Sequence, residues 1–310
     1  MAADRKPKLL EFRIKISKEK RSRKMPKELT YKGSFKNNKI LILDAIPDDE
    51  LQTARYLEEE IKDFIISQGE QSYCHREKLK DRGHFINFFK IILQECEADM
   101  LPLLHIEAHG DKSLGLQIGG DFIGWEELLD LCRPINSATK NNLGLILASC
   151  YGQETSKLIN ISKPCPFHFM IGPSDIVAAK EIRDRIPYFY KSVLENQNLN
   201  LALNYINPQF VLFYSSEFFV RSMAIFFSKN RSNKNRSAIA EEIVTKALEK
   251  NENSRNTRRL ARKSAKHILK NPENFYMHYM KGFLHGQAPV TFKDLENFYM
   301  QFNPASEPRI

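Results

Sequence analysis

No stretch of this 310-residue chain approaches the ~20 consecutive apolar residues that span a bilayer, so no membrane span is expected. Cysteine is scarce too. The five residues Cys74, Cys96, Cys132, Cys150 and Cys165 are an odd number and form no C-x-x-C pair. That argues against a disulfide framework and for reduced thiols in a cytoplasm. The start, "MAADRKPKLLEFRIKISKEKRSRKM", lacks the apolar core of a secretory signal. No H-E-x-x-H occurs either. In "LPLLHIEAHG" the glutamate between His105 and His109 stands one place late, and the run reads as a strand, so the zincin motif is rejected. A two-histidine metal site completed from elsewhere finds no further His/Cys cluster to complete it. Neither a metal nor an organic cofactor is expected.

Charge is present but unevenly spread. Residues 1–39 and residues 221–270 each hold 14 Lys/Arg against 4 Asp/Glu, within a net charge of +9. The middle of the chain is therefore acidic. Basic stretches of this kind attract nucleic acid, anionic lipid or acidic partners, although a solvated tail and a solvated helix face are the commoner outcome. No aromatic-interleaved basic motif marks a specific nucleic-acid fold.

From Lys39 the pattern changes. "KILILDAI" is a continuous apolar run that suits a strand covered on both faces. "PDDELQTARYLEEEIKDFIISQ" follows, with Leu51, Ala54, Leu57, Ile61 and Phe64 at helical spacing and Pro47 and Asp48 at its start. "GEQSYCHREKLKDRG" reads as a polar link and "HFINFFKIILQECEADM" as a second helix. Beyond the "LPLLHIEAHG" strand come a glycine-rich loop and a short helix, "GWEELLDLC", anchored by Trp125. "LGLILASC" and "CPFHFMIGPSD" are two further strands. "IVAAKEIRDRIPYFYKSVLENQ" is helical, with Pro187 expected to kink or divide it. "NLALNYIN" adds a short helix. Strands and helices thus alternate over about 39–205, the signature of a parallel sheet with helices on both faces. After Gln209 the chain turns aromatic-rich and helical, with "FVLFYSSEFFVRSMAIFFSKN" a strand running into a helix.

In an open parallel sheet, chemistry gathers beyond the carboxyl ends of the strands. His109-Gly110 ends one predicted strand and Cys150 ends the next buried one. If these strands are neighbours, imidazole and thiol leave the same edge of the sheet, the geometry of a thiol activated by a base. A glycine after the base lets a backbone N–H approach the reacting carbonyl, and with the Cys150 N–H it would form an oxyanion hole. Gly152 allows close packing beside the cysteine. His105 reads as structural. Glu107 shares its strand face with His109 and either orients it, helps a substrate pocket or is a satisfied core carboxylate. Cys74, Cys96, Cys132 and Cys165 read as ordinary buried or half-buried thiols.

"LLHIEAHG" followed by "LILASCYG" resembles the caspase-type cysteine peptidases, the clan of caspases, metacaspases, legumains, separases and bacterial CHAT-domain peptidases. The likeness is greatest to the bacterial caspase-like and CHAT group, and it covers about 39–206. It implies an α/β fold with a caspase-like, mostly parallel sheet; the basic N-terminal extension (1–38) and the helical basic C-terminal region (216–310), read from charge and pattern, lie outside the resemblance. It implies a cysteine endopeptidase with His109 as base or acid, Cys150 as nucleophile, and the amides of Gly110 and Cys150 on the oxyanion. Asp175 matches the acid that receives a basic P1 side chain, so cleavage after Arg or Lys is implied, with a protein as substrate; Asp175 also reads as an N-cap for the helix after it. The Gln-Ala-Cys-x-Gly form is absent, Ala148-Ser149-Cys150-Tyr151-Gly152 standing in its place. The clan further implies a zymogen switched on by a signal or partner, as in antiviral defence or regulated death. The basic runs "KEKRSRKM", "SKNRSNKNRS" and "NSRNTRRLARK" are then candidate processing sites. Two alternatives stand beside this reading: an inactive caspase-like interaction module, and a nucleic-acid-associated protein acting through the basic flanks.

Overall fold

The structure, a computed structural model, describes residues 8–16, 29–206, 208–229, 241, 244, 245, 248 and 255–300. The strands β1 (Lys8–Ile16) and β2 (Leu29–Asn37) form a two-stranded sheet. One residue later β3 (Lys39–Asp44) enters a six-stranded sheet with β4 (Cys74–Lys78), β5 (Pro102–Glu107), β9 (Gly144–Ala148), β10 (Phe169–Pro173) and β11 (Phe210–Tyr214). The spatial order is β11-β10-β9-β5-β3-β4, and β11 alone runs antiparallel to its neighbour. A separate three-stranded antiparallel sheet joins β6 (His109–Asp111), β7 (Gly115–Ile118) and β8 (Asp121–Ile123). This is an α/β protein with a mostly parallel central sheet, as the alternation of patterns predicts.

Helices connect the strands: α1 (Thr53–Ser67), α2 (Arg82–Glu97), α3 (Trp125–Ala138), the single turn α4 (Glu154–Lys157), α5 (Ala179–Asn196) and α6 (Leu199–Leu203). From β3 the chain steps outward to β4 and then returns past β3 to β5, so right-handed crossovers put α1 on one face and α2 on the other. Accordingly α1 packs with α5 while α2 packs with α3. The reversal falls between β3 and β5. Beyond the carboxyl ends of those two strands lies the crevice where such sheets bind ligands.

The centre of the sheet is built from continuous apolar strands. Ile40, Ile42, Leu43, Leu104, Ile106, Leu145, Ile146 and Leu147 are fully buried, each stabilising the fold by roughly 1.5–3 kcal/mol. The edge strand β4, "CHREK", is missed by sequence reasoning because its residues are polar. It is held by charge instead: Arg76 donates to Asp44 (2.8 Å) and to Glu58 (3.1 Å). Burial works to raise the Glu58 carboxyl, but the hydrogen bonds from Lys62 and Arg76 hold it below the ordinary range.

Other expectations need correction. Helix α1 starts at Thr53, after a turn in which the Glu50 N–H donates to the Pro47 carbonyl (3.2 Å). Leu51 is therefore exposed, and Ile65 rather than Phe64 completes the buried stripe. Pro187 neither divides nor ends α5, which continues to Asn196; α3 likewise passes through Pro134. The end of β2 packs against the central sheet. Phe35 is fully buried edge-on to Phe169 (4.9 Å), and Asn142 brackets the Lys36 backbone with hydrogen bonds of 2.7 and 2.9 Å.

The chain divides into two compact units, Met1–Ile14 with Lys32–Ser215 and Lys15–Tyr31 with Ser216–Ile310. The second is helical, with α7 (Ser215–Lys229), α8 (Arg255–Lys270), α9 (Pro272–Phe283) and α10 (Phe292–Tyr299). Aromatic rings form its core: Phe226 stacks on Phe275 at 4.4 Å, and Phe227 meets Tyr299 at 5.2 Å. Of the basic runs, "KEKRSRKM" and most of "SKNRSNKNRS" lie outside the described residues, whereas "NSRNTRRLARK" is mostly the first half of α8.

One core residue makes the fold acid-sensitive. His168 is buried against Phe35 and Tyr214, and burial pushes its imidazole down to about 4, despite opposing hydrogen bonds with Asn141 and Ser34. Between pH 6.5 and 4 the unfolded chain binds a proton there that the folded chain does not, so stability falls as pH falls through that window. The full effect is about 3 kcal/mol. Urea unfolding at pH 7 and pH 4.5 is expected to show a smaller acid loss in His168→Gln than in wild type. Equal losses would show that His168 is not the sensitive group.

Candidate functional site

Strands β5 and β9 are parallel neighbours in the register Glu107↔Ala148. His109 and Cys150 each stand two residues past that last pair, at the carboxyl edge of the sheet. After Ala108 the chain bends into β6, which begins at His109 and pairs with β7. Gly110 is what permits the close approach. A Cβ there would lie 2.0 Å from the Cys150 carbonyl oxygen and 2.5 Å from the Ser149 hydroxyl, so no larger residue fits.

Past β9 the chain makes a tight turn, the Gly152 N–H donating to the Ser149 carbonyl (3.2 Å). Cys150 and Tyr151 form the corner, and Tyr151 sits in the left-handed region at φ 61°, a strained conformation for a bulky residue. The turn is pinned from β10 and beyond. Tyr151 N–H donates to the Asp175 carbonyl (3.2 Å), and Gln153 N–H to the Pro173 carbonyl (3.0 Å). Among the described residues the Cys150 N–H donates to no acceptor. Gly152 fits beside Leu147, where a Cβ would lie 3.0 Å from the leucine Cβ.

The two candidate reactive groups have separate partners. The Cys150 sulfur accepts from the Val177 N–H (3.5 Å) and faces the Val177 carbonyl (3.8 Å). Nε2 of His109 lies 2.9 Å from both carboxylate oxygens of Glu50. Among the described residues no hydrogen bond links the His109 imidazole to the Cys150 thiol. Donation from Nε2 to Glu50 leaves Nδ1 of the ring with its lone pair, the tautomer a base requires. Glu50 comes from the β3–α1 turn, across the switch point of the sheet. Sequence reasoning missed it, because nothing local distinguishes it from Asp48 and Asp49.

Glu107 does not orient His109. It is buried and occupied, accepting from the Thr53 hydroxyl and lying 3.0 Å from Nε2 of the fully buried His105. The N-cap of α5 is Ala178, not Asp175, and the Asp175 carboxylate is exposed, accepting from the N–H of Ile176 (2.9 Å). The reason is the exposed strap 174–176 between β10 and α5, which delays the helix and lifts the carboxylate into solvent. No group of three or more His, Cys, Asp or Glu able to hold a metal occurs among the described residues. No described helix is long and apolar enough to cross a membrane.

The cysteines divide sharply. Cys74, Cys96, Cys132 and Cys165 are buried, and burial pushes each thiol up to about 12. Cys150 is the half-buried one. Brief treatment of the native protein with iodoacetamide at pH 7.5 is expected to place a single adduct, on Cys150. A mass spectrum showing adducts spread over several cysteines would contradict this arrangement.

No protein-family model matches the chain, and no curated protein matches it.

Proposed function

We propose that the chain is a cysteine endopeptidase of caspase-like type, with His109 and Cys150 as its dyad. The carrying observation is the pairing of β5 with β9, which brings His109-Gly110 and Ser149-Cys150 to one edge with the Gly110 backbone against Cys150. In the reaction, Cys150 Sγ attacks the scissile carbonyl carbon and its proton passes to Nδ1 of His109. The carbonyl oxygen gathers charge beside the Cys150 N–H, which has no acceptor among the described residues, and beside Gly110. Collapse breaks the C–N bond, the imidazolium protonates the leaving amine, and a thioester remains. Water, deprotonated by His109, then hydrolyses the thioester and restores the thiol.

Glu50 is a positioning residue in this scheme, holding the imidazole tautomer. The His109 and Glu50 side chains are 49% and 43% exposed, so the contact contributes little to stability, under ~1 kcal/mol. Its effect is kinetic. Glu50→Ala is expected to slow Cys150 labelling about 5- to 10-fold with Glu50→Gln intermediate, since ~1 kcal/mol of misorientation corresponds to that range. Equal rates in all three proteins from pH 5 to 8 would remove Glu50 from the scheme.

Substrate specificity follows from position. The Asp175 carbonyl accepts from the N–H of Tyr151 (3.2 Å), the residue after Cys150, and its exposed carboxylate is the acid a P1 Arg or Lys would meet. Val177 must release the thiol for a substrate to enter, and that is the step an activating signal or partner would supply.

The test is labelling by acyloxymethyl-ketone probes bearing Arg or Asp at P1, applied to wild type, Cys150→Ala and His109→Ala. The proposal expects the Arg probe to label wild type, with labelling lost in Cys150→Ala and greatly weakened in His109→Ala. Labelling by the Asp probe alone would discard Asp175 as the P1 acid and keep the dyad. The separate partners of thiol and imidazole favour a second reading, an inactive interaction module. Absence of labelling by both probes, with Cys150 still open to iodoacetamide, would put that reading first.

A further inference from the structure

The three-stranded sheet β6–β7–β8 begins at His109 and carries a row of side chains away from it. In an antiparallel sheet, residues directly opposite one another point to the same face. The registers His109↔Gln117 and Gln117↔Phe122 therefore place those three side chains in one row across the strands. Gly110, Leu116 and Ile123 form the next row, on the other face. The two faces differ in exposure. Leu116 and Ile123 are fully buried, whereas the His109 side chain is 49% exposed, Phe122 is 36% exposed and Gln117 is half-buried. Asp111 shares the exposed face, but its carboxylate is taken up by its own turn, accepting from the N–H groups of Ser113 (2.7 Å) and Leu114 (2.8 Å). Two strand spacings of ~4.8 Å put Phe122 about 10 Å from the base.

The row leads away from Cys150. Gly119, in the β7–β8 turn, lies against the chain just past β4, where a Cβ on it would stand 2.6 Å from the Lys80 carbonyl oxygen. In the central sheet β4 is two strands from β5 on one side, and β9, which leads into Cys150, flanks β5 on the other. The small sheet thus extends from His109 toward the β4 edge, with the nucleophile on the opposite side. The Trp125 indole N–H donates to the Lys112 carbonyl (3.1 Å) and fastens the β6–β7 turn to α3. In acyl transfer to a thiol the imidazole gives its proton to the leaving nitrogen. That nitrogen lies at His109, and the acyl half of the substrate lies at Cys150. A chain running on from the nitrogen along the row, extended at ~3.4 Å per residue, reaches Phe122 at about its third residue.

We propose that Gln117 and Phe122 bind the leaving-group half of the substrate, and that Phe122 selects a large apolar side chain at the third residue after the scissile bond. The inference rests on the peptidase reading and narrows its substrate. Gln117 supplies an amide, both donor and acceptor, to the passing backbone. Phe122 is an open shelf and not a closed pocket, so its discrimination falls at the low end for an apolar contact, about 10-fold. The test uses the full chain and peptides that carry, before the scissile bond, the residue the ketone probes select. One pair differs only at the third residue after that bond, Leu or Ser, and a second pair differs in the same way at the third residue before it. Wild type is expected to cut the Leu peptide of the first pair with kcat/KM about 10-fold above its Ser partner. Phe122→Thr, which keeps strand propensity, is expected to cut the two within about 2-fold of each other. Ile66→Ser, at an exposed position on the far end of α1, should retain the wild-type preference. Circular dichroism checks that each variant is folded. Cleavage by wild type without this preference would overturn the inference alone, as would a preference that survives in Phe122→Thr. A preference removed by Phe122→Thr but found only in the second pair would overturn the direction assigned to the row. Wild type that takes neither probe and cuts no peptide would overturn the peptidase reading, and this inference with it.

Discussion

Gly110→Ala is expected to disable the site and weaken the fold together. The added methyl would sit 2.0 Å from the Cys150 carbonyl oxygen, 2.5 Å from the Ser149 hydroxyl and 3.0 Å from the Cys150 carbonyl carbon. Two of those three atoms are backbone, so no side-chain rotation relieves the clash, and β6 must move off β9. Overpacking of this kind costs ~1–3 kcal/mol, and the backbone contact places this case at the upper end. Displacing His109 from Cys150 by about 1 Å costs on the order of 100-fold in rate. The expected result is a urea midpoint well below wild type and Cys150 labelling slowed at least about 100-fold. Gly120→Ala is the matched control, because a Cβ there meets nothing within 4 Å. Wild-type stability and labelling in Gly110→Ala would mean that Gly110 and Cys150 do not approach as described.

Glu107→Ala is the second large effect, and it acts from inside. Glu107, 1% exposed, holds His105 Nε2 at 3.0 Å and accepts from the Thr53 hydroxyl at the first turn of α1. His105 is fully buried and its Nδ1 has no hydrogen-bond partner among the described residues, so removing Glu107 leaves both ring nitrogens without a described partner. Breaking a buried pair by deleting one partner costs ~3–5 kcal/mol. Glu107→Gln keeps the volume and an acceptor and is expected to cost about 1 kcal/mol. Urea unfolding of both variants separates these values. A loss below about 1 kcal/mol in Glu107→Ala would show that His105 and Thr53 find other partners without difficulty. The same carboxylate ties β5 to Thr53 at the start of α1, just after the turn that presents Glu50 to His109. Glu107→Ala should therefore also slow labelling of Cys150, more than Glu107→Gln does.

Gly110 with Cys150 and Glu107 with Thr53 are contacts between residues distant in sequence, and the division between what was legible and what was not runs along that line. Apolar strands such as "KILILD" and "LGLILA" announce themselves, because a strand buried on both faces must be apolar throughout. The helical stripe of α1 was legible to within a residue or two at each end, and so was the shift to an aromatic-rich helical region after β11. His109-Gly110 and Cys150 could be singled out because both end such strands. Strand β4 was not legible. Its stability comes from Asp44, Glu58 and the edge of the sheet, none of which is local to it.

The sequence by itself determined the fold class, the position of the candidate dyad at strand ends and the charge asymmetry of the chain. These follow from local periodicity and composition, which need no knowledge of what packs where. Only the tertiary structure decided that β5 and β9 are neighbours, that Glu50 and not Glu107 meets the imidazole, that Val177 holds the thiol, and that Asp175 faces solvent. Each of those is a choice among chemically similar residues, made by the order of strands and the path of a turn.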